Sequence, residues 1–192
     1  QEIACVLQNA NFKHPVIMDG MALKVNDIMF RYPEYLKNIN IFSDAINHAF
    51  LVRNHGDRKK ALSQPCVVIS PAGMLVGGNA VYYLQELALD EKNGIAMVSY
   101  QGEGTPGKKL LETGKISLKG KDTNVKATVK RFEFSGHADR DSLFEMIKNI
   151  KGNPKVLTVH GDRESCTKFS EEIQQKFGLD SHAPKLGEEI TI

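Results

Sequence analysis

Over the first 114 residues, short unbroken apolar runs alternate with helix-spaced stripes; beyond them the texture changes to strict alternation. Val16-Ile17-Met18, Cys66-Val67-Val68-Ile69 and Ile95-Ala96-Met97-Val98 are runs of the kind that fill parallel strands buried on both faces. Each breaks at a polar or Gly-rich segment: Asp19-Gly20, Ser70-Pro71-Ala72-Gly73 and Gln101-Gly102-Glu103-Gly104. Between them, Leu23, Ile28 and Met29 predict a helix over Met21–Tyr32, stopped by Pro33, with a second short helix over Pro33–Asn38. Ser43 is expected to cap a helix reaching about Phe50. Val81, Leu84, Leu87 and Ala88 stripe another over Asn79–Leu89. Pro106 suits the first turn of a brief helix ending near Gly114. Asn54 to Lys60 is so polar that it reads as a mobile solvated loop. Strands alternating with helices predict an α/β fold, a doubly wound parallel sheet with Gly-rich loops at its carboxyl edge. That edge is where such proteins bind ligands.

The alternating segments Lys115–Leu118 and Val125–Val129 flank Gly120-Lys121-Asp122, which predicts an antiparallel hairpin. Phe132 and Phe134 fall out of phase with Val129, so a bulge is expected near Lys130 or Arg131. Helix (Asp141–Ile150), strand (Lys155–Val159), helix (Glu164–Phe177) and an extended segment to Ile192 complete the pattern. Two histidines stand out in this part. His137 follows Phe134-Ser135-Gly136, and His160, 23 positions later, ends Val156-Leu157-Thr158-Val159. Both are read as closing strands, both lie beside Gly, and both precede an Asp, Asp139 or Asp162, by two residues. A single His at a strand end is most often a loop residue; two in matching settings can aim two imidazoles at one place.

Composition narrows the setting. At 192 residues, 41% hydrophobic and 25% charged, the chain has room for one core and part of another. A net charge of +2 makes no global case for a polyanion partner. The three cysteines, Cys5, Cys66 and Cys166, form no CxxC pair; this excludes a Cys-based zinc site and a disulfide framework, and points to a reducing, cytoplasmic compartment. No run approaches a membrane span and no signal peptide is visible. Ile3, Val6 and Leu7 have helical spacing, so the chain is expected to begin inside a helix, as the carboxyl-terminal part of a longer protein.

Five segments, in order, resemble signature motifs of the β-CASP branch of the metallo-β-lactamase superfamily, nucleases of RNA-end processing and DNA repair. They are Val16-Ile17-Met18-Asp19-Gly20-Met21, Val68–Gly78, Val98–Thr105, Ser135-Gly136-His137-Ala138-Asp139 and Val159-His160-Gly161-Asp162. The first looks like archaeal homologues of the cleavage and polyadenylation specificity factor (CPSF) in particular. The resemblance implies a β-CASP domain over residues 1–131, a doubly wound, Rossmann-like α/β domain truncated at its amino end. Residues 132–192 would be the closing strand-helix segment of a metallo-β-lactamase αββα domain. The implied activity is that of a zinc-dependent ribonuclease of mRNA 3′-end processing or RNA decay, cutting single-stranded RNA with metal-activated water. A noncatalytic RNA-binding or scaffolding subunit is the alternative, and a DNA-repair nuclease a further one.

By the same resemblance, His160 matches a metal-binding His. It would complete a two-zinc site whose other ligands lie outside this chain, so the chain alone is expected to hold no zinc stably and to be inactive. DNA-repair members usually carry Val at that position, so His160 favours RNA. His137 matches the residue that protonates the leaving oxygen, or supports the group that does. Asp139 and Asp162 could orient the two histidines as hydrogen-bond acceptors or cap the helices that follow. Gly73, Met74, Gly77 and Gly78, with Gly104 and Thr105, precede helices where backbone amides can hold a nucleic-acid backbone. Asp19 would cap the next helix or line the cleft. Lys108 and Lys109 open a stretch to Arg131 with eight basic residues against Glu112 and Asp122, the best candidate for an RNA-facing surface unless it is simply a solvated hairpin. Few aromatics lie among them, which argues against base stacking there. Family members often form homodimers through the carboxyl-terminal region, so the same is expected here.

Overall fold

A computed structural model describes residues 1–118, 120–132, 134 and 136–191. Two compact units divide it, Gln1–Phe134 and Ser135–Ile192. In the first, β1 (Val16–Met18) sends alternate side chains to opposite faces. Ile17 packs with Val52 and Ala61, and Met18 with Ala4, Phe42, Ala45 and Ile46. Strands β2 (Phe50–Leu51) and β3 (Val67–Ile69) flank it in the order β2-β1-β3, all parallel, with Ile17 opposite both Phe50 and Val68. Helices α1 (Glu2–Asn9), α2 (Met21–Arg31) and α3 (Ile39–His48) cover the Met18 face; α4 (His55–Ala61) brings Ala61 to the other. The fold is therefore mixed α/β with parallel strands between helices, as expected.

Four local expectations need correction. Asn38, not Ser43, caps α3, its Oδ1 accepting from the Ile41 amide at 3.1 Å, so the helix starts earlier and stops before Phe50, which becomes a strand residue. Pro33–Asn38 contains only a 3-10 turn, Pro33–Tyr35, after which Leu36 is extended. Asn54–Lys60 lies not in a loop but in the cap and body of α4. There Asn54 Oδ1 accepts from the Asp57 amide (3.0 Å), while Asp57 Oδ2 accepts from the amides of Asn54 (3.2 Å) and Arg53 (2.9 Å). This capping box satisfies donors that a polar helix start would otherwise leave to water. His137 closes no strand among the described residues and lies in an exposed bend.

The rest of the first unit builds a second core from Leu75, Leu84, Ala88, Met97, Leu110 and Ile116. Its elements are α5 (Asn79–Leu87), β4 (Gly94–Met97), α6 (Pro106–Thr113), β5 (Lys115–Leu118), β6 (Lys121–Asn124) and β7 (Thr128–Arg131). The hairpin forms between β5 and β6, a tighter pairing than expected, with Leu118 opposite Lys121. The next segment leaves it and runs parallel to β4 as β7, Gly94 facing Thr128 and Met97 facing Arg131. That register is continuous and the Phe132 amide extends it to the Met97 carbonyl at 2.9 Å, so no bulge occurs among the described residues. Beyond Val129 the side chains of β7 are exposed, and the apolar phase has no core face to follow.

In the second unit, α7 (Arg140–Lys148) and α8 (Arg163–Phe177) enclose Phe144, Ile147 and Ile173. Strands β8 (Val156–Leu157) and β9 (Ser181–His182) pair in parallel. Among the described residues, no helix is long and apolar enough to cross a membrane.

Candidate functional site

Asp19 ends β1 at the carboxyl edge of the parallel sheet, only 1% exposed. A buried carboxylate is costly unless fully bonded, and this one is. Its Oδ2 accepts from Arg58 Nε (2.6 Å) and the Tyr83 hydroxyl (2.8 Å); its Oδ1 accepts from Arg58 Nη2 (3.2 Å), Asn79 Nδ2 (2.9 Å) and the Gly20 amide (2.6 Å). Burial pushes the Asp19 carboxyl up, but the bonds from Arg58, Tyr83 and Gly20 outweigh it and hold the group below its ordinary range. Burial, and then the bond to Asp19, push the Tyr83 phenol well up. Gly20 takes φ 73°, where a Cβ would also crowd Asn79 Nδ2 at 3.1 Å and Pro71 Cγ at 3.3 Å. Asp19 is thus no simple helix cap but the hub that ties α4 and α5 to β1.

Beside it, the two Gly-rich segments are brought together. Gln101, 5% exposed, donates from Nε2 to the carbonyls of Gly73 (2.9 Å) and Ser99 (3.0 Å), and the Gly107 amide donates to the Met74 carbonyl (3.0 Å). A side chain at Gly73 would collide with Ser99 Oγ, which is why the backbones can approach so closely. Ala72 (φ 77°) and Leu75 (φ 59°) are held in left-handed conformations within the same loop, and Gly77 and Gly78 lead from it into α5. Thr105 caps α6, its Oγ1 accepting from the Lys108 amide at 3.3 Å. With Gly104, Lys108 and Lys109 it lines a cavity of about 330 Å³. Both lysines already have partners: Lys108 pairs with Glu103 (3.0 Å) and Glu112 (3.4 Å), Lys109 with Asp122 (2.6 Å).

In the second unit, backbone bonds from Val156 to the Asp180 carbonyl (2.8 Å) and from Thr158 to the His182 carbonyl (3.0 Å) set the path of the chain as far as Thr158; β8 itself stops at Leu157, so His160, like His137, does not close a strand as expected. Thr158 Oγ1 adds a bond to the Cys166 carbonyl at 2.9 Å. His160 then turns into the left-handed region at φ 67° and is exposed, lining a cavity of about 470 Å³ with Arg163, Cys166, Lys185 and Glu188. A non-Gly residue there costs on the order of 1–2 kcal/mol. Such strain tends to collect at functional sites. His137 is exposed in its bend and does not line that cavity; its neighbours Glu133 and Ser135 lie outside the described residues. Asp139 caps α7, its Oδ1 accepting from the Ser142 amide (2.8 Å), and Asp162 caps α8 through the Ser165 amide (2.8 Å) and hydroxyl (2.8 Å). Those bonds hold both carboxyls below their ordinary range. Among the described residues, no three His, Cys, Asp or Glu side chains converge as a metal site. Zinc here would find one imidazole donor in His160, and one imidazole does not make a site.

Sequence comparison gives these features a frame. Residues 1–110 match the Beta-Casp domain. The chain belongs to the β-CASP family. Residues 122–184 of this β-CASP chain match a second domain, described as the Zn-dependent metallo-hydrolase RNA specificity domain. The RNase aCSPSF2 of Saccharolobus solfataricus is 37% identical over 192 residues, all of this chain and 39% of the relative. Transcription termination factor FttA of Thermococcus kodakarensis is 37% identical over 207 residues, 96% of this chain and 32% of the relative. The probable RNase MJ4 of Methanocaldococcus jannaschii is 33% identical over 197 residues, 45% of its length. The β-CASP chain therefore spans less than half the length of these archaeal CPSF-like relatives, which carry names of ribonucleases and termination factors.

Sequence reasoning missed Arg58, Tyr83 and Gln101. Arg58 had a readable signal, since Asn54-His55-Gly56-Asp57 is a capping-box spacing that would have placed it on a helix. Tyr83 and Gln101 had none, because their partners lie 64 and 28 positions away in the chain.

Proposed function

We propose that the protein carrying this chain is a zinc-dependent ribonuclease of mRNA 3′-end processing or RNA decay, acting on single-stranded RNA in the cytoplasm. The carrying observation is His160: exposed, held in a strained left-handed turn after β8, and lining a cavity with Arg163 and Lys185. It lies inside the segment that matches the metallo-hydrolase RNA specificity domain. On this reading residues 1–131 are the β-CASP domain and 132–192 the closing part of the metallo-β-lactamase domain.

The chain's own residues have distinct tasks. His160 would contribute one imidazole to a two-zinc site completed by residues outside the chain, where zinc would supply a Lewis acid and an activated water. His137 delivers a proton to the leaving oxygen of the cut phosphodiester. Gly73, Met74, Gly77, Gly78, Gly104 and Thr105 present backbone to the RNA, while Lys108 and Lys109 neutralise its phosphates. Surface ion pairs are weak, so Glu103, Glu112 and Asp122 can yield both lysines to a polyanion. Asp139 and Asp162 act by capping the helices after the two histidines. The carboxyl-terminal region supports a homodimer, which sedimentation of the full-length protein tests directly: a monomer rejects it.

The deciding assay compares full-length wild type with His160→Ala on an end-labelled single-stranded RNA and the matching DNA, with zinc supplied. RNA cut by the wild type alone is the expected result, and the product ladder separates internal cleavage from end trimming. No cutting by the wild type would move the protein to the noncatalytic RNA-binding subunit; equal cutting of DNA would move it to the DNA nucleases.

A further inference from the structure

The strand order β2-β1-β3 has a topological consequence. The chain leaves β1 through α2 and α3 on the Met18 face, reaches β2, and crosses by α4 on the other face to β3. The carboxyl ends of β1 and β3 are thus the switch point, where doubly wound sheets open a ligand crevice. Asp19 and Gly20 follow β1 there, and Ser70 to Gly78 follow β3. Pro71 and Asn79 approach Gly20 closely, so both loops share this edge.

Arg58 is the cation at that edge. It grips Asp19 with Nε and Nη2, leaving Nη1 with no acceptor among the described residues, and its side chain is 21% exposed. A guanidinium fixed along one edge presents the other without losing freedom on binding, which suits a phosphate oxygen. The setting is basic: Arg53, Arg58, Lys59 and Lys60 lie on or beside α4 against Asp57, whose Oδ2 is engaged by two amides. Aromatic faces adjoin it. Tyr82 lies 6.0 Å from the Arg58 guanidinium, and the His55 ring meets Tyr82 edge-on at 5.6 Å. Cationic groups interleaved with rings are what a single strand needs for its phosphates and bases.

We infer that Arg58, with Tyr82 and His55, forms a subsite for one nucleotide of single-stranded RNA at the switch point of the β2-β1-β3 sheet, with Asp19 as its positioning residue. The inference rests on the RNA reading above and extends it to residues that neither Gly-rich loop contains. Arg58 takes the phosphate and Tyr82 the base.

The test is RNA affinity of the full-length protein against salt concentration, in EDTA so that nothing is cut. Arg58→Met alone would strand a buried carboxylate, so Asp19→Asn/Arg58→Met is used, its fold checked by thermal melting. The slope of log K against log salt should fall in magnitude by about 0.7, the value for one phosphate on a single strand. Tyr82→Leu should weaken binding roughly tenfold with the slope unchanged, as loss of one stacked base does. Lys92→Met, in the exposed turn before β4, should match the wild type. A folded double variant with the wild-type slope overturns the subsite but leaves the ribonuclease reading standing; a wild type that binds no RNA overturns both.

Discussion

Asp19 decides more of the local structure than any other side chain, because one carboxylate answers four residues. With its pKa depressed in the folded state, its contribution is fully present above the unfolded value of about 3.9 and is lost as pH falls through the lower folded value. Asp19→Asn should therefore cost about 3 kcal/mol at pH 7, where Arg58 loses its buried partner, and progressively less below pH 4. Urea denaturation at both pH values checks this; a penalty independent of pH would mean the carboxylate's charge is not what matters. His160 offers the complementary case. Its left-handed backbone favours Gly, so His160→Gly should leave stability unchanged or raised by up to about 1 kcal/mol while removing RNA cleavage by the full-length protein. A Gly variant that still cuts would show that the imidazole is dispensable.

Helix caps carry the argument at the scale of elements. Asn54→Ala should destabilise α4 by about 1 kcal/mol, and Asp162→Ala should do the same to α8, measured as shifts in denaturation midpoint. The Asn54 variant also loosens Arg58, so its RNA affinity should drop, while an equally destabilised Asp162 variant should keep the affinity of the β-CASP part. These caps also show what could be read from the chain. Strands β1, β3 and β4 and helices α2, α5 and α6 were legible, since each has a one-dimensional signature: an apolar run, a periodic stripe, a Pro at a first turn; the burial on both faces expected of the runs was not met in β3, which is half-buried, or in β4, where Gly94 and Ala96 are exposed. For Asp139 and Asp162 capping was one of two roles the sequence left open, and only the bonds from the Ser142 and Ser165 amides identify it. β2 was not legible, because two residues after a helix carry no period of their own. The partner of β7 was not legible either: Lys115–Leu118 alternates equally well against either following segment, and only the tight turn to Lys121 and the bonds from Lys126 and Ala127 to the Ala88 carbonyl settle it. His137 was misplaced for a related reason. Its motif is recognisable in sequence, but a strand end is a property of pairing.

At the scale of the whole molecule, the apolar residues divide into separate cores. Those of the first unit gather around Met18, Ile17 and Leu110; that of the second is Phe144, Ile147 and Ile173, with Phe169, Phe177 and Leu179 packed against it. Ile173 is fully buried, and truncating it to Ala removes methylenes from a core of three residues with little freedom to collapse, at a cost of about 2–5 kcal/mol. Arg140 and Lys176, which lie over the Phe144 ring at 4.8 and 4.1 Å, cannot fill the space without burying charge. Ile173→Ala should therefore raise amide exchange throughout α7, α8, β8 and β9 and leave β1 and β3 protected as in the wild type. His160 is positioned by β8 and its bonds to β9, so the same substitution should lower ribonuclease activity of the full-length protein while leaving the salt slope of RNA binding through Arg58 in place. Loss of protection spreading into β1 would show instead that the two cores open as one.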